Sequence, residues 1–322
     1  MRNIHAIVAV LVAGVVSASC SSAPERVTRA FVVPSVPGMY SDVAEVADYM
    51  CVHFWDKLLA VPDDGTLYLC DSAHVAGVDN KSMMLNAMEY VGWLVNNPSR
   101  ESSAEALRGL VGKMEKCMAA DTASNVFPEL ADILEECLYG PNSPVRDEDL
   151  YQPLAQALAD SPMTPDNLKP SYSHQSKMCL LNQEGGPAGD FAFTDASRRM
   201  HRLYDYDKTP YTVLLFVNPG CHACGDVVQA FDNEMVRSAI RDRQLTVISV
   251  YIDPEIDEWK RQVADMPASW VNGFDRDGAI RQELIYNVRA IPSVYLLDSK
   301  HTVICKDTPP EEVLSIIFPV QG

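Results

Sequence analysis

The sequence predicts two domains, an all-α domain followed by an α/β domain. Three observations predict this. Apolar residues recur at spacings of three and four between residues 41 and 158. From Phe191 onward, short apolar runs of strand type alternate with helical stretches. Between these regions, Pro162, Pro165, Pro170, Gly185, Gly186, Pro187 and Gly189 crowd one segment. We therefore expect a helical domain over residues 41–170 and an α/β domain over 171–322. A chain of 322 residues with 47% hydrophobic and 22% charged residues suits two ordinary globular cores.

The chain starts with a different kind of segment. Arg2 precedes an apolar run from Ala6 to Val16, and Ser17-Ala18-Ser19 leads into Cys20. A short apolar run ended by small residues reads as a secretory signal, and it is too short to span a bilayer. A Cys directly after the small residues resembles a bacterial lipoprotein signal, although Ser17 stands where such signals more often carry Leu. That resemblance implies a signal peptide over residues 1–19, lipid attachment at Cys20 and a place in the cell envelope, on the periplasmic side. The alternative is an ordinary cleaved signal with an incidental Cys. Residues 20–40, with Pro24, Pro34 and Pro37 among small residues, read as a tether.

The helical stripes follow in order. Val43, Val46, Met50, Phe54 and Leu58 form the first. Met84, Met88, Val91 and Val95 form the second, which stops at Asn97-Pro98. Leu107, Leu110, Val111 and Met114 form the third. Leu130, Ile133, Leu134 and Leu138 form the fourth, closed by Gly140-Pro141. Each is one-sided, so the helices must cover one another.

In the second domain, Phe191–Phe193 and Arg202–Tyr204 suit an entry hairpin. Tyr211–Val217 and Leu245–Ile252 are buried-strand runs. Residues 224–240 have helical spacing, and a further helix is expected over 254–263. Residues 293–297 and 302–305 suit a second hairpin, and 311–318 a closing helix.

The chemistry lies where the first buried strand ends. Asn218-Pro219-Gly220 is followed by Cys221-His222-Ala223-Cys224, and helical spacing begins at once. A CxxC at a strand-to-helix turn is far more specific than a lone CxxC. A helix N-terminus carries unpaired N–H groups and about half a positive charge, so it favours an anion. The thiolate is the attacking species in disulfide exchange. Cys221 is thus the expected nucleophile. Cys224, one turn deeper, is the expected resolving thiol, and the two form the redox disulfide. His222 would add positive charge beside the thiolate if protonated; otherwise it is a solvated loop histidine. A zinc site would need a second pair of ligands, and no second CxxC exists, so no metal or other cofactor is expected.

These residues carry a family resemblance. Residues 190–322 resemble a periplasmic thioredoxin-fold domain of the TlpA-like kind. The matching pieces are Asp190-Phe191, the strand before CHAC, the helix after it, and Ala290-Ile291-Pro292-Ser293 before a strand. The resemblance implies that Pro292 is cis beside the cysteine pair and that Ile291 offers its backbone to an extended client segment. The whole arrangement resembles envelope lipoproteins with a helical N-terminal domain of unknown function, to which His53-Phe54-Trp55-Asp56 also fits. Two departures stand out. Gly220 replaces the usual Trp before the first Cys, and Leu215 replaces the buried Asp six residues before it. Asp226 is the nearest acid in sequence, although acids are favoured there simply by the helix N-terminus.

Six other cysteines allow many pairings. Cys117 and Cys137 continue consecutive stripes and are a candidate structural disulfide; two buried free thiols are the alternative. Cys51–Cys70 and Cys179–Cys305 would then remain by elimination.

The expected function is thiol–disulfide exchange on envelope proteins that carry cysteines or disulfides, with an unidentified redox donor. By the resemblance it runs as a reductase or isomerase. A binding or scaffold lipoprotein with a catalytically weak platform is the competing reading. A peroxidase is disfavoured because Asn218 stands where a peroxide-orienting Thr would be. A net charge of −18 excludes a nucleic-acid partner, which would need clustered Lys and Arg. The membrane partner is the lipid anchor alone.

Overall fold

The computed structural model describes residues 25–218 and 220–319. Cys20 and the signal segment therefore lie outside the described residues, as does Pro219.

The first region is built from helices α1 (Val43–His53), α2 (Asp56–Leu59), α3 (Asn80–Asn96), α4 (Arg100–Ala120), α5 (Val126–Tyr139), α6 (Glu148–Asp160) and α7 (Lys169–Cys179). Side chains cap several of them. Asp42 Oδ1 accepts from the amide of Ala44 at 2.8 Å, Asp79 Oδ1 from Ser82 at 2.9 Å and Ser99 Oγ from Ser102 at 3.1 Å. The buried stripes meet in one core that includes Phe54, Trp55, Tyr90, Leu107, Leu134 and Leu154.

In three respects the region departs from the sequence reading. It is helical but not all-α: β1 (Arg26–Val27) pairs in parallel with β2 (Leu67–Tyr68), and β3 (His74–Val75) with β4 (Val78–Asp79) as a tight hairpin. These two-residue strands are too short to show alternation. Second, residues 25–36 are no free tether. Arg26 forks onto Asp121 at 2.9 and 3.0 Å, Arg29 lies over the Tyr68 ring at 3.5 Å, and Phe31 packs against Phe54 and Trp55. Third, α7 belongs to the first core, where Tyr172 and Cys179 are buried, whereas the sequence pattern places residues 171–179 in the second domain. Pro170 at its first turn starts this helix instead of marking a linker.

Helix α3 shows how tertiary contacts choose between two stripes. The sequence offers Met84, Met88, Val91 and Val95, but the buried set is Met83, Ala87, Tyr90, Val91 and Leu94, so Val91 alone is shared. Tyr90 decides it. Its ring packs on Phe54 and Trp55, and its hydroxyl donates to the Cys51 carbonyl at 3.1 Å.

The second region holds β5 (Ala192–Asp195), β6 (Met200–Arg202), β7 (Tyr211–Phe216), β8 (Leu245–Tyr251), β9 (Val271–Phe274), β10 (Ser293–Asp298) and β11 (Val303–Lys306). They form one sheet in the order β11-β10-β7-β8-β9-β5-β6, with β7, β8 and β9 parallel and the outer pairs antiparallel. Both faces are covered. Val213 and Leu215 point into one core with α8 (His222–Phe231), α9 (Glu234–Arg241) and α12 (Pro310–Ile317). Leu214 and Phe216 point into the other with Phe191, Tyr286 and Tyr295. That two-sided burial is why β7 reads as a continuous apolar run. The long helix expected over 224–240 is two helices, because Asn233 caps α9 by accepting from the amide of Val236 at 3.0 Å.

Between α9 and the C-terminal hairpin stand α10 (Ile256–Gln262) and α11 (Ala279–Gln282).

Candidate redox site

The strand β7 delivers the chain to the carboxyl end of the parallel strands, and the amide of Cys221 donates to the Asn218 carbonyl at 3.2 Å as the chain turns into α8. Gly220 has φ +84, a conformation that side chains rarely adopt. A Cβ there would lie 3.4 Å from the amide of Gln262. The turn thus explains the missing Trp: the position is shaped for glycine and roofed by Gln262.

Cys221 is the N-cap of α8. Its Sγ accepts the backbone N–H of Cys224 at 3.4 Å, so the sulfur takes the place of a capping oxygen. It is half-buried, and Sγ lies 4.0 Å from the carbonyl oxygen of Ile291. The Ile291–Pro292 peptide is cis. Two segments far apart in sequence therefore converge on one sulfur.

Cys224 is only 3% exposed, and the amide of Asn218 donates to its Sγ at 3.4 Å. Burial pushes its thiol up to about 12, and the nearby Cys221 and the Asp253 carboxylate push the same way. It is held as a neutral thiol at neutral pH. A cavity of about 190 Å³ opens beside the pair, lined by Gly220, Cys221, Cys224, Gln262, Asp265 and Met266 among others.

His222 is 96% exposed, and its Nδ1 lies 3.4 Å from Asp226, itself 69% exposed. The two form an i,i+4 pair on the outer face of α8. Asp226 thus points to solvent, away from the buried Cys224.

The acid that does reach the site was missed. Asp253 follows β8 and accepts from Asn218 Nδ2 at 2.7 Å, while Arg281 holds its other oxygen at 3.1 Å. Since β8 runs parallel to β7, the residues just past its end must stand beside those just past β7. That topological rule, and not spacing along the chain, was the available signal.

The remaining described cysteines are unbonded. The Cys117–Cys137 bridge is not formed. Cys137 Sγ meets Met84 Sδ at 3.8 Å, whereas Cys117 lines a different cavity together with Cys70 and Arg29. Nor are the pairs Cys51–Cys70 and Cys179–Cys305 formed.

Comparison with known proteins bears on both regions. The model of a domain of unknown function, DUF5106, matches residues 14–182, more than half of the chain. The chain belongs to this DUF5106 family. A solved thioredoxin-like protein from Bacteroides caccae is 27% identical, with 90% of this chain and 99% of that one covered at a TM-score of 0.78. The C-terminal domain of an uncharacterized protein from Bacteroides fragilis is 35% identical over 42% of this chain and 97% of that one, TM-score 0.41. The thioredoxin domain of a thiol-disulfide oxidoreductase from Bacteroides vulgatus is 16% identical over 42% of this chain and 95% of that one, TM-score 0.36. No curated protein matches the chain. Fold and comparison agree that the DUF5106 chain combines a helical N-terminal region with a thioredoxin-like C-terminal region.

Proposed function

We propose that this DUF5106 protein is a thiol–disulfide oxidoreductase acting on envelope proteins, with Cys221 as nucleophile and Cys224 as resolving thiol. One observation carries the reading: a half-buried sulfur caps a helix and faces the carbonyl of Ile291 before Pro292, with a buried neutral thiol one turn deeper.

The reaction balances without a cofactor. The Cys221 thiolate attacks a client disulfide, forming a mixed disulfide and releasing one client thiolate. Cys224 then loses its proton and attacks Cys221 Sγ, releasing the second client thiol. The client gains two electrons and the pair becomes a disulfide, which an external dithiol must reduce. An extended client segment would pair with the Ile291 backbone while its sulfur meets Cys221. Reduction or isomerisation is the proposed direction.

The envelope setting rests on the Cys20 signal. We propose lipid attachment there; metabolic labelling with an alkyne palmitate should mark the parent and not Cys20→Ala.

A Cys224→Ala variant tests the chemistry. It should accumulate mixed disulfides with client proteins that dithiothreitol releases, and Cys221→Ala should accumulate none. Equal capture by both variants would remove the enzymatic reading. The scaffold reading draws on the size of the helical region and the lack of an acid on β7. A Cys221→Ala, Cys224→Ala double variant separates the two, because a scaffold keeps its phenotype and an oxidoreductase loses it.

A further inference from the structure

The helical region reaches the redox site through a buried charge cluster. Glu148, the first residue of α6, has a side chain only 3% exposed. Its Oε1 accepts from Asn287 Nδ2 at 3.0 Å, from Arg289 Nε at 3.1 Å and from Arg289 Nη2 at 2.9 Å. Arg289 also lies over the Tyr139 ring, 3.4 Å from its centre, and donates to the Tyr139 carbonyl. Lys306 on β11 stands 3.6 Å from Glu148 and 3.0 Å from Asp149. Three hydrogen bonds thus converge on Oε1, and Oε2 faces the Lys306 ammonium, which offsets the cost of burying this carboxylate.

The place of these contacts matters more than their number. Arg289 is two residues before Ile291, whose carbonyl faces Cys221. On the other side of Pro292, Ser293 Oγ donates to Asp307 at 2.6 Å, and Asp307 is paired with Arg146 at 3.1 Å. Both flanks of the Ile291–Pro292 loop are therefore tied to the stretch 139–148 of the helical region. No other described element holds the 287–289 segment by charged side chains.

We propose that Glu148 is a positioning residue of the redox site: through Asn287 and Arg289 it holds the Ile291–Pro292 loop where an extended client chain pairs beside Cys221. This assigns the helical region a task in client binding, and it rests on the oxidoreductase reading above. The guanidinium fork fixes orientation as well as charge, so a lysine at 289 would not replace it.

The test uses the full chain, with dithiothreitol as reductant and insulin as protein disulfide. In Glu148→Gln and in Arg289→Lys the KM for insulin should rise about fivefold to tenfold with kcat nearly unchanged. Reduction of a small aromatic disulfide, which needs no strand pairing, should keep its rate. Amide exchange at Ile291 and Ser293 should quicken about tenfold, while exchange along Val213–Phe216 stays constant. Unchanged KM and unchanged exchange at these amides in both variants would overturn the proposal. If Glu148→Gln loosens β7 as well, Arg289→Lys decides by the same readouts. If the parent reduces no insulin, the oxidoreductase reading fails, and the exchange data alone decide whether Glu148 holds the loop.

Discussion

Cys137 and Cys221 are the same side chain at opposite ends of a helix. Cys137 lies in the last turn of α5 inside the helical core, and burial pushes its thiol up to about 11. Cys221 caps the start of α8, where its sulfur receives an N–H and remains half-open to solvent. A helix C-terminus offers carbonyl oxygens and partial negative charge, which an anionic sulfur avoids; an N-terminus offers the reverse. Cys51 and Cys179 repeat the first environment, and Cys305 on β11 is buried in the other region's core; burial pushes each thiol up. Place in the fold thus separates the cysteines of this chain, and a cysteine count says little about that separation.

The sharpest way to break that contrast is substitution. Cys221→Ser should lower insulin reduction by more than about 10³-fold, as loss of a nucleophile usually does. Cys137→Ala should leave turnover within about twofold and cost only about 1 kcal/mol of stability. Comparable losses in both would end the distinction.

A second measurement separates core from site. Phe54→Ala should destabilise the protein by about 3–5 kcal/mol in denaturant unfolding, since the ring is fully buried among Phe31, Trp55 and Tyr90. The alkylation rate of Cys221 in the folded variant should match the parent.

The pH profile of alkylation contrasts the two site thiols. Burial favours the neutral form of Cys224, so ionisation requires raising the pH toward about 12. Peptide mapping after iodoacetamide at roughly pH 7 to 9 should find label on Cys221 and almost none on Cys224. Equal labelling would show that Cys224 is neither buried nor held neutral.

The smallest expected effect concerns Asp253. Its negative charge helps hold Cys224 neutral, so Asp253→Asn should move the Cys224 alkylation profile to lower pH by a few tenths of a unit. A move to higher pH would mean that Asp253 does not help to hold Cys224 neutral.

Much of the architecture was legible residue by residue. The run Tyr211–Val217, the CHAC turn and the hairpin after Pro292 stand where they were expected. The helical stripes around Leu107 and Leu134 are buried, apart from the half-buried Ile133. The strand β9 and the short pairs near residues 26, 67 and 74 were not legible, because four residues or fewer display no period. Asp226 is the nearest acid in sequence and pairs with His222, while Asp253 comes from just past the neighbouring strand β8.

The sequence by itself determined the two-region plan, the cysteine pair at a strand-to-helix turn and the proline that opens a strand near the end of the chain. These are local patterns: a run, a motif, a turn residue, each written in adjacent positions. Only the tertiary structure decided which stripe of α3 is buried, which acid stands near Cys224, and that Glu148 grips the loop before Pro292. Those facts depend on residues about 30 to 140 positions apart meeting in space, as the sheet order and the packing of α6 bring about. Linear spacing carries no record of such meetings.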